Sequence, residues 1–319
     1  MMWVYGPMPR QPSVPMKISN NLFFGLIDNL KSKSFFQILI IRLIFCSDPL
    51  LMDNNLTNLI LIGLGLHDEN GISLQGLEEA KKATYVFAEF YTSYMPAIKI
   101  SNLEKLLGKQ IKILSRKEVE EYTQENILVH AKKYPCVFLT PGDPNIATTH
   151  IDLRLRAENE GIRTSIIHSA SISSAIAGAT GLQNYKFGRT VTIPFKSTSI
   201  SEIPYENIFE NKSRGLHTLA LLDINSESRL FMSIPEGLTI IIEIEERLRK
   251  RCTTRNTLAI GVARLGSPDA SVKAGTIENL LRFNWGDPPH CIVFPGKLHF
   301  MEIEALKILC KADPELFEI

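Results

Sequence analysis

The five cysteines, Cys46, Cys136, Cys252, Cys291 and Cys310, are scattered through 319 residues with no C-x-x-C pair among them. An odd, dispersed set in a chain this long argues against a disulfide framework, and the compartment expected is a reducing cytoplasm. The seven histidines include no H-E-x-x-H and no Cys/His group at ligand spacing, so no metal site is expected. A G-x-S-x-G elbow and a P-loop lysine are both missing, which removes the parts of a serine triad and of P-loop phosphoryl transfer. Excess positive charge is missing too. The formal net charge is +1, and no basic stripe of the kind that holds nucleic acid is present. The apolar run from Phe35 to Phe45 is interrupted by Gln37 and Arg42. It falls short of the roughly 20 apolar residues that a spanning helix needs, so no membrane association is expected.

What is present divides unevenly. Residues 1–51 carry five Lys/Arg against two Asp/Glu, with prolines clustered at Pro7, Pro9, Pro12 and Pro15, leaving 30 basic against 32 acidic residues for the rest. They read as an extension outside the fold, with Met52 as an alternative initiator; a signal or membrane element and an amphipathic docking segment are the weaker readings. The remaining length and a hydrophobic share of 45% suffice for two medium domains.

From Leu56 the pattern becomes regular. Leu59-Ile60-Leu61-Ile62 ends at Gly63-Leu64-Gly65-Leu66, a continuous apolar run as expected of a strand buried on both faces. Ser73 caps a helix through Leu74, Leu77 and Ala80, and strands are expected at Thr84 to Phe90 and Ile111 to Leu114. Ser115 to Glu118 forms a capping box opening a helix to about Lys133. Strand Cys136 to Leu139 then stops at Pro141-Gly142-Asp143-Pro144, with a helical pattern from Ala147 through Leu153, Leu155 and Ala157 to Gly161, and a strand at Arg163 to His168. This alternation predicts an N-terminal α/β domain over 52–168. Over 169–319 strands are expected at Thr190 to Phe195, His217 to Asp223, Leu258 to Val262 and Cys291 to Phe294, with helices at Ser171 to Ala179, Leu238 to Lys250 and Phe300 to Cys310. The close spacing of strands predicts a C-terminal α/β domain with a mixed sheet, and a ligand cleft between the two domains.

Several stretches admit a plain and a functional reading. Gly63 to Leu66 follows a strand, but Asp68 replaces the third glycine of a dinucleotide fingerprint, so it reads as a tight turn open to some ligand. Asp143 is either a turn residue bonding its own backbone or a fixed carboxylate at the carboxyl end of a buried strand, where open α/β sheets bind ligands. Ser169 or Ser171 is a helix N-cap, and the same helix start could meet a polar ligand group. His290, in Gly286-Asp287-Pro288-Pro289-His290, is equally well a ligand contact or a strand cap.

Six segments together resemble the diphthine synthase family, within the wider tetrapyrrole methylases. They are Ala88-Glu89-Phe90-Tyr91-Thr92-Ser93; Leu139 to Pro144; Ala147-Thr148-Thr149-His150; Tyr185-Lys186-Phe187-Gly188; Gly215 to Thr218 with Leu222-Asp223-Ile224; and Gly286 to His290 with Pro295 to His299. The resemblance spans about Leu56 to Cys310, and the Pro-Gly-Asp-Pro and Gly-Asp-Pro-Pro-His forms look archaeal. It implies two α/β domains of the tetrapyrrole methylase type with S-adenosyl-L-methionine folded in the cleft between them, and usually a homodimer. It also implies methylation of the amino group of a 3-amino-3-carboxypropyl chain on the modified histidine of translation elongation factor 2, in diphthamide biosynthesis. Matched position by position, Leu66, Asp143, Ile146, Ser171, Ile172, Leu222, Leu265 and His290 are the expected cofactor contacts. Three departures stand out: residues 1–51 have no counterpart, Ala170 replaces an expected proline, and Leu265 replaces a smaller residue. A sulfonium donor arrives already activated, so the missing acid-base pair is no objection, although a group must still take the proton of the attacking amine.

Overall fold

The computed structural model describes residues 58–196, 200–226 and 228–318, all within one compact unit, Leu56–Ile319. The expectations for residues 1–51 and Met52 lie outside the described residues.

The first sheet is parallel throughout. Strands β1 (Leu59–Gly63), β2 (Tyr85–Ala88), β3 (Lys112–Ile113), β4 (Cys136–Thr140) and β5 (Thr164–Ile167) lie in the order β3-β2-β4-β1-β5. The apolar runs are continuous because both faces are covered. Leu59, Leu61, Phe87, Cys136 and Phe138 enter one core, while Ile60, Ile62, Val86, Val137 and Leu139 enter the other. The chain leaves β1 through helix α1 (Leu74–Lys82) toward β2 on one side, and leaves β4 toward β5 on the other. The carboxyl ends of neighbouring β1 and β4 therefore flank the switch point where open α/β sheets have their crevice.

The second sheet is mixed, as its strand spacing predicts. Strands β6 (Val191–Ile193) and β7 (Thr218–Leu222) pair in parallel. A small hairpin follows, β8 (Ile224–Asn225) with β9 (Leu230–Phe231). The antiparallel part comprises β10 (Leu258–Ala263), β11 (Ser271–Thr276) and β12 (His290–Phe294), giving the order β11-β10-β12-β7-β6.

Several helical features differ from the sequence reading. Helices α2 (Ile100–Leu107) and α3 (Arg116–Glu120) precede β4, and the first of them is unannounced because its N-cap, Lys99, makes no side-chain cap. The helix expected to run to Lys133 breaks after α3, where the Thr123 hydroxyl bonds the Val119 carbonyl, and resumes as a π-type turn at Gln124–Leu128. Helix α4 (Ile151–Asn159) starts at Ile151, not Ala147, which sits at φ 56° in the left-handed region. Leu153 and Ala157 are buried as expected, but Leu155 is exposed. Helices α5 (Ile172–Thr180), α6 (Ile203–Ser213), α7 (Ile234–Leu248), α8 (Ile277–Arg282) and α9 (Phe300–Leu309) cover the second sheet; α6, α8 and strand β11 are also unannounced. Among the described residues no helix is long and apolar enough to cross a membrane, and the four described cysteines are buried free thiols.

Candidate active site

The loops after β1 and β4 are locked to each other. Gly65 N–H donates to Gly142 O at 3.2 Å and Gly142 N–H returns a bond to Gly65 O at 2.7 Å. Both glycines have positive φ, 80° and 67°, a conformation that side chains resist. A Cβ on Gly63 would lie 2.4 Å from Gly142 O, so the two loops meet only because glycine stands there.

Asp143 makes that junction rigid. It is 6% exposed. Asn145 N–H donates to Oδ1 at 3.1 Å, Ser169 N–H donates to Oδ2 at 3.3 Å, and His168 Nδ1 lies 2.7 Å from Oδ2. The turn reading and the platform reading both hold: the carboxylate closes its own turn and ties it to the segment that opens α5. Ser171, not Ser169, is the N-cap of α5. Ser169 instead donates its hydroxyl to Gly71 O at 3.0 Å. Asp68, at the third-glycine position, caps the short turn Glu69–Gly71.

From the second sheet, Arg264 performs the equivalent task. It stands after β10 at φ 51°. Its guanidinium donates to Trp285 O at 2.7 Å and Asp287 O at 2.5 Å and pairs with Asp269 at 2.6 Å, while its amide donates to Pro289 O at 2.8 Å. The turn bearing Leu265 is thereby fastened to the loop bearing His290. Arg264→Met would leave two carbonyls without a donor; a loss of about 2 kcal/mol in unfolding free energy is expected by urea titration.

Between these loops lies a cleft of about 160 Å³, far beyond the ~10–15 Å³ that one water occupies. All eight residues expected at the site line it: Leu66, Asp143, Ile146, Ser171, Ile172, Leu222, Leu265 and His290. Both sheets contribute, and the rings of Tyr94 and Phe231 stack between them with centroids 4.3 Å apart. Among the described residues the lining contains no lysine or arginine. His290 answers its open question in both senses. Its Nδ1 accepts the Ile234 N–H at 3.3 Å, at the start of α7, which assigns the ring proton to Nε2. Burial lowers its pKa and favours the neutral ring. Nε2 is buried and makes no well-formed hydrogen bond among the described residues, with only the Asp287 and Trp285 carbonyls near the ring, in a residue that lines the cleft.

The sequence reading missed part of the wall. Thr92, Ser93, Tyr94 and Met95 line the cleft, and the Glu-Phe-Tyr-Thr-Ser motif carried that signal without a role attached. Phe231 and Met232 line it too, and nothing in the pattern around the two-residue strand β9 announced them.

Residues 58–281 match the family of Tetrapyrrole (Corrin/Porphyrin) Methylases. The diphthine synthase of Methanocella arvoryzae is 47% identical over 252 residues, covering 79% of this chain and 97% of that protein. The diphthine synthase of Methanocaldococcus jannaschii is 47% identical over 256 residues, covering 79% and 99%. A crystal structure of diphthine synthase aligns with a TM-score of 0.74 at 38% identity, over 81% of this chain and 98% of the other. With the two-sheet architecture and the cleft at the β1/β4 switch point, these similarities lead to one conclusion: the chain belongs to the diphthine synthase family of methyltransferases, within the tetrapyrrole methylases.

Proposed function

We propose that this methyltransferase uses S-adenosyl-L-methionine to methylate the amino group of the 3-amino-3-carboxypropyl-histidine intermediate on translation elongation factor 2, forming diphthine in diphthamide biosynthesis, with S-adenosyl-L-homocysteine as the other product. The observation that carries the donor assignment is the character of the cleft. Its walls are apolar at Leu66, Ile146, Ile172, Leu222 and Leu265, and its polar side chains are Thr92, Ser93, Tyr94, Asp143, Thr148, Ser171 and His290. Such a lining suits an uncharged nucleoside ring attached to a cationic sulfonium chain, whereas a phosphate-bearing cofactor would call for cations, and none of the described lining residues is a lysine or arginine. When bound, the donor supplies a methyl group already activated for displacement.

The chain's own contribution is alignment. Gly65 and Gly142 let a ligand approach the backbone, Asp143 holds the loop after β4 against the start of α5, and Arg264 holds the Leu265 and His290 loops. We take the two sheets as separate α/β domains divided at 168/169, and the protein as a homodimer that acts in the cytoplasm on a protein substrate, without metal or nucleic acid. The exposed apolar side chains Phe300, Met301, Ile308 and Leu309 on α9 support self-association.

The test is transfer of labelled methyl groups to elongation factor 2 carrying the unmethylated intermediate, with a uroporphyrinogen-type tetrapyrrole in a parallel reaction. Label in the factor alone is expected. Label in the tetrapyrrole alone, or donor binding without transfer to either, would overturn the substrate assignment.

A further inference from the structure

Methylation of an amine leaves a proton to place, and the cleft is poor in acceptors. Among the described residues, four that line it carry an ionisable side chain: Tyr94, Asp143, His290 and Cys291. Asp143 has both oxygens engaged. His290 has Nδ1 committed to Ile234 and its proton on Nε2. Burial pushes the Cys291 thiol up to about 12, so it stays protonated. Tyr94 offers a phenol hydroxyl, a donor rather than a base. One carboxylate stands directly behind the wall. Glu89 follows β2 and is fully buried; the hydroxyl of Thr92, which lines the cleft, donates to Glu89 Oε1 at 2.5 Å, and the Tyr91 and Thr92 amides donate to Oε2 at 2.9 and 3.0 Å.

Resting on the substrate reading above, we propose that Glu89, acting through the Thr92 hydroxyl, is the acceptor of the proton that the substrate amine loses in each methyl transfer. The ammonium passes a proton to Thr92 Oγ1 while the Thr92 proton moves to Glu89 Oε1. The freed nitrogen lone pair then forms the N–CH3 bond as the CH3–S bond breaks with its electron pair going to sulfur. The product nitrogen is again an ammonium, so a further round needs the same acceptor once Glu89 has released its proton to solvent.

The surroundings suit this task. Burial raises the Glu89 pKa to about 7, against hydrogen bonds from Thr92 and Tyr91 and the charge of Arg116 on α3. A base is most effective when its pKa lies near the working pH. The other groups facing it are His150, whose Nε2 is 3.7 Å from Glu89 Oε1, Tyr91, and Glu120 beyond them. Burial holds His150 down at about 4, so it is neutral and cannot displace Thr92 as the charged partner. Arg116 lies over the Tyr91 ring at 5.0 Å.

Glu89→Gln keeps an oxygen for the Tyr91 and Thr92 amides and removes the base. Its kcat is expected to fall about 100-fold, and the rise of the wild-type rate through about pH 7 should vanish, while donor affinity by calorimetry stays within about twofold. Thr92→Val should do the same, and Thr92→Ser should recover most of the loss. In the wild-type enzyme without ligands, infrared difference spectra should show a buried carboxyl titrating near pH 7 that is absent from Glu89→Gln. If the wild type transfers methyl groups but Glu89→Gln keeps the same pH profile, or the carboxyl signal persists, the proposal fails. Failure of the wild type itself would instead overturn the substrate reading.

Discussion

Glu302→Ala is expected to lower the unfolding free energy by about 3–5 kcal/mol, because it breaks a buried ion cluster by removing one member. Glu302 on α9 is fully buried. It accepts from Lys186 Nζ, from Gln183 N–H at 2.9 Å and from His299 N–H at 2.8 Å, and His217 Nε2, also fully buried, lies 3.0 Å away. Lys186 further donates to Lys297 O at 2.6 Å, and His217 Nδ1 accepts the Gly296 amide at 3.0 Å. Three separated segments of the second half are therefore pinned to one carboxylate. Burial alone would raise its pKa, but the bonds from Lys186, Gln183, His299 and His217 outweigh burial and hold it at about 2. The sign of the pH dependence follows. The unfolded group takes a proton near 4.5 and the folded one only near 2, so this contribution is complete above 4.5 and drains away as the pH falls toward 2. Its size is about 3 kcal/mol at most. Urea titrations at several pH values check both statements; Glu302→Gln should flatten that acid window, and a loss below about 1 kcal/mol for Glu302→Ala would contradict the role given to the cluster.

Gly142→Leu should separate folding from donor binding. At φ 67° a non-glycine residue is strained by about 1–2 kcal/mol. A Cβ there meets only Ser171 Cβ, at 3.9 Å, and open space beside it. Both residues line the cleft, so a leucine side chain must extend into the volume assigned to the donor. The variant is expected to fold with a modestly lowered melting temperature and to lose at least about 100-fold in donor affinity, ~2.7 kcal/mol. Asp143→Ala, by contrast, removes three ties rather than filling space, so its effect on the donor is indirect and smaller, accompanied by a stability loss of about 1–3 kcal/mol. Calorimetric titration with S-adenosylhomocysteine distinguishes the two.

The sequence announced the first sheet most clearly at β1 and β4, apolar runs stopped by Gly63 and Pro141, a pattern imposed by burial on both faces. It announced the cleft for a related reason: turns such as Pro141 to Pro144 and Gly286 to Pro289 sit at strand ends, where ligands gather. Strand β11, with Lys273 and Gly275 and only partial burial of its first three residues, has no such pattern. Helix α6 is nearly featureless because Asn207 and Asn211 turn inward to bond Ile203 O and Arg189 O. The Glu302 cluster was illegible for another reason. Lys186, His217 and His299 stood in three of the motifs, but Glu302 stood in none, and no local rule pairs residues as far apart in the chain as Lys186 and Glu302. Glu89 was likewise quoted without a role, since burial, which gives a carboxyl base character, is a property of the fold.

The central claim is that the switch-point cleft holds the methyl donor, and a crystal of the protein grown with S-adenosylhomocysteine tests it most directly. The account predicts density between the Gly63 to Leu66 and Pro141 to Ile146 loops on one side and Leu265 and His290 on the other, with His290 Nε2 within hydrogen-bond reach of the ligand. Density at any other place on the protein, with this cleft filled by solvent alone, would contradict it.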